Sequence, residues 1–294
     1  MRKLNALLEY FRFLLTAKAP GGPMNSHPPK DIDAASAKAL LAKERPGGLL
    51  VLDVRQPWEY EEFHLPGAKL LPLGELEERR AEIPDDAPVL VYCHSGRRSA
   101  AAASLLAHAH PDVTNLLGGI MAWTGATAVG APETGMRHLS GDESPERILA
   151  LAYSMERELG LFYQRLAGEF TDQGLKELFN RLAGFEDKHK LVVYHLYKSY
   201  RPESRGIEDL EALAVDKALE GGRDAQDILA DRKQPVAPRD ALDMAMGIEA
   251  QAMDLYMRFA ANAQGEGRQT LLDLANEERG HLKALATLMD RQAK

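Results

Sequence analysis

Glu186 and His189 stand three residues apart, and so do Glu278 and His281, 92 residues further along the chain. Glu156 precedes the first pair and Glu249 the second, offset by 93 residues, and each is followed seven residues later by a tyrosine, Tyr163 and Tyr256. These residues lie in four stretches of helical apolar period, about 145–169, 172–200, 239–263 and 267–292, in which proline is nearly absent. Short connections within the first and second pairs predict two antiparallel helical hairpins. Residues 201–238, with short helical patches such as Leu210–Leu219, form one long crossover between them. The matched spacing suggests a duplicated hairpin.

Three residues of a helix rotate by about 300°, so each Glu-x-x-His puts both side chains on one face. Two such pairs, with one Glu from each remaining helix, can enclose two metal ions. Carboxylates bridge and neutralise hard cations, and imidazole leaves room for a redox-active first-row metal. Four carboxylates balance two divalent ions; buried without them, they would repel one another and bind protons more readily. Glu156 lies among Leu151, Ala152, Met155 and Leu159, and Glu249 among Ala245, Met246, Ile248 and Ala252, both interior contexts. One such Glu or His alone reads as a solvated helix charge or a structural histidine; the set of six argues for a centre. Glu158 and Glu277 fall out of register and read as surface charges, and His195 has no motif partner. Core packing is the expected role of Tyr163 and Tyr256, a hydrogen bond to a ligand the alternative.

This region, about residues 144–290, resembles the rubrerythrin branch of the ferritin-like superfamily. The resemblance implies an all-α four-helix bundle with one long crossover and a di-iron centre, manganese being possible, that reduces peroxide or handles dioxygen and iron. Its ligands would be Glu156, Glu186, His189, Glu249, Glu278 and His281. Ala252 stands where that branch has a further Glu, so the set is symmetric, more like bacterioferritin. The single cysteine cannot build a rubredoxin module, so electrons must come from an external donor.

The first half differs. Leu49–Val54 and Val89–Cys93 read as buried strands, Ile32–Lys43 and Ser99–His108 as helices, an α/β pattern with a mainly parallel sheet. Cys93 ends a strand, and His94-Ser95-Gly96-Arg97-Arg98 leads into a helix beginning at Ser99. Such a loop aims backbone N–H groups at the sulfur, and the helix terminus and arginines add positive charge; both favour the thiolate. Gly96 allows the turn.

Here the chain resembles the rhodanese family over about residues 30–125. The motifs are Leu52-Asp53-Val54-Arg55-Gln56-Pro57-Trp58-Glu59-Tyr60, His64-Leu65-Pro66-Gly67-Ala68, the Cys93 loop, and Gly118-Gly119 with Trp123. The resemblance implies that Cys93 takes sulfane sulfur as a persulfide and passes it to a thiol acceptor. Arg98 would be the loop-closing basic residue. His94, Ser95, Gly96, Arg97 and Ser99 would surround the substrate, and Asp53 and Arg55 would be structural. Phe63 departs from the family's usual Gly. A cysteine phosphatase would need Arg six positions after the cysteine, where this chain has Ser99; an inert thiol is the other alternative. His94 can equally be exposed filler, and His64 reads as structural.

The expected organisation is an amphipathic N-terminal helix and linker at 1–27, a rhodanese-like domain at 28–127, a linker at 128–143 and the bundle at 144–294. Residues 1–140 carry 15 basic and 16 acidic residues, and residues 141–294 carry 21 and 28, so the net charge of −8 belongs mainly to the helical half. This balance argues against nucleic-acid binding. No apolar run is long enough to span a bilayer, which predicts a cytoplasmic protein; the N-terminal helix would dock on protein, membrane-surface contact being the lesser alternative. A homodimer is the expected assembly. The leading functional expectation is a sulfurtransferase fused to a di-iron redox domain. The alternative is a sulfur and iron sensor or carrier without turnover, with the bundle serving storage or dimerisation.

Overall fold

The computed structural model describes residues 28–44, 46–85, 87–108, 110–134, 143–214 and 237–292. The expected N-terminal helix and part of the crossover, including 215–219, lie outside these residues.

The first module is a five-stranded, wholly parallel sheet of order β1-β5-β4-β2-β3. Its strands are β1 (Lys30–Ile32), β2 (Leu50–Asp53), β3 (Lys69–Leu70), β4 (Val89–Tyr92) and β5 (Val113–Leu116). The central strand β4 is apolar along its length and buried on both faces, as a parallel sheet covered on both sides requires. One face packs Leu52, Val54, Val89 and Val91 against Ala102, Ala103 and Leu106 of α3 (Arg97–Ala107). The other packs Val51, Leu90 and Tyr92 against Ala37 of α1 (Ala34–Lys43) and Tyr60 of α2 (Pro57–Glu62). Ile32, expected in the first helix, instead ends β1. Asp33 caps α1 by accepting from the Ser36 N–H at 2.7 Å, which fixes the helix start beyond it. The chain leaves β2 and β4 toward opposite edges of the sheet, so a topological switch point lies beyond their carboxyl ends, where open α/β sheets place ligands.

The second module has four long helices: α4 (Pro145–Glu169), α5 (Gln173–Tyr200), α7 (Pro238–Asn262) and α8 (Gly265–Gln292). Pro145 and Pro238 open α4 and α7, where a missing N–H costs nothing. Asp172 caps α5 by accepting from the Leu175 N–H. The short connections after α4 and α7 make two hairpins. Helix α6 (Ile207–Glu211) lies in the crossover and buries Leu210 in the core. Two apolar clusters, one around Met155, Tyr256 and Phe259 and one around Phe162, Phe179 and Leu242, fill the interior. No helix among the described residues is long and apolar enough to cross a membrane.

The modules meet along α7 and α8. Asp254 accepts from the Gly67 N–H at 2.9 Å and lies 3.3 Å from His64 Nε2. Gln251 makes a reciprocal pair with the Val129 backbone, and Arg258 donates to the carbonyls of Pro132 and Thr134. Arg279 donates to the Leu41 carbonyl at 3.0 Å and to that of Glu44, meeting unpaired groups at the end of α1. Residues 128–134, at the start of the expected linker, are thus fastened to α7, and Ala128 also bridges to His64.

Candidate functional site

Cys93 follows β4 and is buried to 1% exposure. The chain turns at Gly96, whose φ of 92° is the left-handed conformation glycine favours; a Cβ there would lie 2.9 Å from the Gly118 nitrogen. This turn starts α3 at Arg97, so Arg97 and Arg98 lie in its first turn rather than in the loop. The Gly96 N–H donates to Cys93 Sγ at 3.1 Å. Burial pushes the thiol up, but hydrogen bonds from the Ser99 hydroxyl and N–H and from the Ser95 and Gly96 N–H groups outweigh it and hold the thiol below its ordinary value. Ser99 is buried, and its hydroxyl also lies 3.1 Å from the Gly96 carbonyl, which competes with the sulfur for its one proton. His94, Ser95 and Arg97 are exposed. Behind the loop, the Ile120 and Met121 N–H groups donate to the carbonyls of Cys93 and His94; a Cβ on Gly119 would collide with the former, which explains the paired glycines.

Two carboxylate–guanidinium pairs brace this end of the sheet. Asp53 and Arg55 are fully buried together, Arg55 donating to both Asp53 oxygens, the shortest contact being 2.7 Å. Arg55 also donates to the Phe63 carbonyl, a backbone group any residue would offer at that position. Glu59 holds Arg98 by two hydrogen bonds of 2.7 and 2.6 Å and accepts from the Gln56 N–H at the start of α2. Arg98, in the first turn of α3, is thus held as one half of a fixed pair. Glu59 lies 39 residues from Arg98, so no local spacing in the sequence marks the pair.

Helices α4, α5, α7 and α8 bring the six carboxylate and histidine residues together. Glu156, Glu186 and His189 form one group and Glu249, Glu278 and His281 another; in each, one ligand atom per residue lies within 4.8 Å of the others. His189 Nδ1 lies 2.8 Å from Glu186 and 3.3 Å from Glu156; His281 Nδ1 lies 2.8 Å from Glu278 and 3.1 Å from Glu249. All four carboxylates are buried, and the two imidazoles stack face to face. Gly160 lets α5 approach α4 here; a Cβ would meet that of Glu186 at 3.3 Å.

The electrostatics are those of crowded buried acids. Burial raises Glu156 to about 7 and Glu186 to about 8, with neighbouring carboxylates adding to both. Burial likewise lifts Glu278 well above the ordinary range, with His281 opposing. Burial also opposes ionisation of Glu249, but its hydrogen bond from His281 and that cation's charge prevail and lower it. Burial works against the His281 imidazolium, yet Glu249 and Glu278 push it up to about 12. Glu156 Oε2 is buried, makes no hydrogen bond of good geometry and has His189 Nδ1 3.3 Å away. A buried carboxylate oxygen so weakly satisfied, among three other acids and two imidazoles, fits hard or borderline cations.

Tyr256 donates to Met155 Sδ at 3.8 Å, and Tyr163 packs against Phe162 and Phe179. Glu158 pairs with Arg157 outside the cluster. His64 stacks on Tyr60, with Nδ1 2.8 Å from the Tyr60 carbonyl, and faces Asp254 across the module boundary.

Residues 33–126 match the rhodanese-like domain. YrkF of Bacillus subtilis, whose name describes a sulfur carrier, is 38% identical over 109 residues, 36% of this chain. The chain spans only 59% of that relative's length. A protein of Allochromatium vinosum named sulfurtransferase is 39% identical over 94 residues, 32% of this chain and 86% of its own. Thiosulfate sulfurtransferase GlpE of Pseudoalteromonas translucida is 33% identical over 98 residues, 33% of this chain and 90% of its own. Through residues 33–126, the segment that holds Cys93 and its cradle, the chain belongs to the rhodanese-like family.

Proposed function

We propose that this chain carries sulfane sulfur on Cys93 and holds two iron ions, or manganese, between its four long helices for redox chemistry on peroxide or dioxygen. The cradle of donors on Cys93 Sγ supports the sulfur half, together with the names of the relatives that match this segment. The Cys93 thiolate attacks the outer sulfur of a sulfane donor. With thiosulfate, the sulfur–sulfur bond breaks, sulfite leaves with the electron pair, and Cys93 keeps the outer sulfur as a persulfide. A thiol or cyanide then takes that sulfur, returning Cys93 to the thiolate. The N–H groups of Ser95, Gly96 and Ser99 steady negative charge on the sulfur throughout.

The paired carboxylate–histidine groups support the second half. Glu156, Glu186 and His189 would hold one ion, and Glu249, Glu278 and His281 the other. Bound iron would supply one-electron redox capacity, with electrons from an external donor. The chain's own contribution is a buried acidic pocket that neutralises the ions and two imidazoles as nitrogen ligands, of which His281 surrenders a proton to bind.

Thiocyanate formation from thiosulfate and cyanide tests the sulfur half: Cys93→Ser is expected to fall to background, and equal turnover would refute the assignment. Steady-state peroxide consumption with an added reductant tests turnover at the centre. A single stoichiometric oxidation would favour storage or sensing.

A further inference from the structure

The α7–α8 hairpin carries two sets of residues. Glu249, Glu278 and His281 face the carboxylate–histidine centre, whereas Gln251, Asp254 and Arg279 reach to the other module. We propose that this hairpin links the modules thermodynamically: a metal ion held by its three ligands tightens the docking of the rhodanese-like module, and docking tightens the hold on the metal. The inference rests on the metal-binding reading above.

The linkage follows from how the two sets are joined. Glu278 and Arg279 are neighbours on α8, about 100° apart, so the roll that turns one carboxylate inward fixes where the guanidinium meets α1. Glu249 and Asp254 are five residues apart on α7, about 7.5 Å along its axis, too short a span to move independently. Without a metal ion, His281 Nδ1 lies between Glu278 at 2.8 Å and Glu249 at 3.1 Å; an ion held by all three side chains replaces that hydrogen-bonded arrangement and favours one register of the hairpin. The docking surface is sensitive to register, because much of it is made of directional bonds. Gly67 N–H to Asp254 is 2.9 Å, Val129 N–H to Gln251 is 2.9 Å, and Gln251 Nε2 to the Val129 carbonyl is 3.1 Å. Such bonds weaken steeply with misalignment. At Gly67 the fit is also steric: its φ is 73°, and a Cβ would run into Met257 of α7. Reciprocity then requires metal and docking to affect each other by the same factor.

Amide hydrogen exchange on the full chain, metal-free and loaded with manganese(II), reads the docking bonds directly. Exchange at Gly67 and Val129 is expected to slow by about fivefold or more on loading, with amides inside the sheet, such as Val91, unchanged. Gln251→Ala, or Arg279→Gln should the first not fold, is expected to weaken manganese binding by a similar factor, although neither residue is a ligand. Manganese bound with unchanged exchange at both amides, or with wild-type affinity in the variants, overturns the linkage and leaves the metal reading standing. No manganese bound overturns both.

Discussion

His189 and His281 stack with ring centroids 3.4 Å apart and planes within 5° of parallel, one imidazole from each helical hairpin. Each presents Nδ1 to the carboxylates of its own group, so the stack joins two halves of one centre. With His281 pushed up to about 12, Glu156 to about 7 and Glu186 to about 8, the metal-free centre stores protons at neutral pH. Loading iron or manganese is therefore expected to release protons, and affinity to rise with pH. Titration in weak buffer with a pH indicator checks this; uptake without proton release would contradict it.

The same groups set the pH dependence of the metal-free fold. Glu156 and Glu186 have folded pKa values above their unfolded ones, so the folded chain binds more protons between the ordinary carboxylate range and about 7 to 8. His281, also raised, loses its contribution as pH climbs above the ordinary imidazole value toward about 12. Both act in one direction: their contribution to stability falls as pH rises through neutrality. Glu249, lowered, acts oppositely and only at acid pH. Urea unfolding of chelator-treated protein at about pH 5.5 and about pH 8 is expected to show the lower midpoint at the higher pH, with the difference reduced by metal.

Cys93 alkylation is expected to titrate below that of an ordinary exposed thiol, because the hydrogen bonds at the sulfur outweigh burial. Ser99→Ala removes one of those donors and is expected to move the midpoint upward. Iodoacetamide rates against pH measure both.

The Asp53–Arg55 pair is a structural brace. Arg55→Ala would leave a buried carboxylate without its cation, at a cost of about 3–5 kcal/mol. Chemical denaturation followed on the first module reads this loss.

Gly160 is expected to tolerate no branched side chain. Gly160→Val overpacks the α4–α5 contact at Glu186, costing about 1–3 kcal/mol and weakening metal binding together. Thermal unfolding and metal titration of the variant test the pair of effects.

The six centre residues were legible because helical period alone puts Glu-x-x-His on one face, and the repeat supplied the partner helices. The Cys93 cradle was legible from a strand, a glycine and a helix in succession. The sequence reading could not place Glu59 on Arg98, or Asp254 on His64 and Gly67, because those bonds join residues brought together only by tertiary packing; Gly67 and Asp254 are 187 positions apart. Gln251 and Arg258 read as ordinary polar helix positions until the other module lies against them. The apolar character of Ile32 suits a strand or a helix, and only the Asp33 cap decides between them.

Iron analysis of the full chain, loaded with ferrous iron without oxygen and then desalted, tests the centre most directly. About two ions per chain are expected, falling to about one when Glu249 and His281 are both replaced by alanine. No bound iron, or the same two ions retained after that replacement, would contradict the assignment of the six residues as one centre.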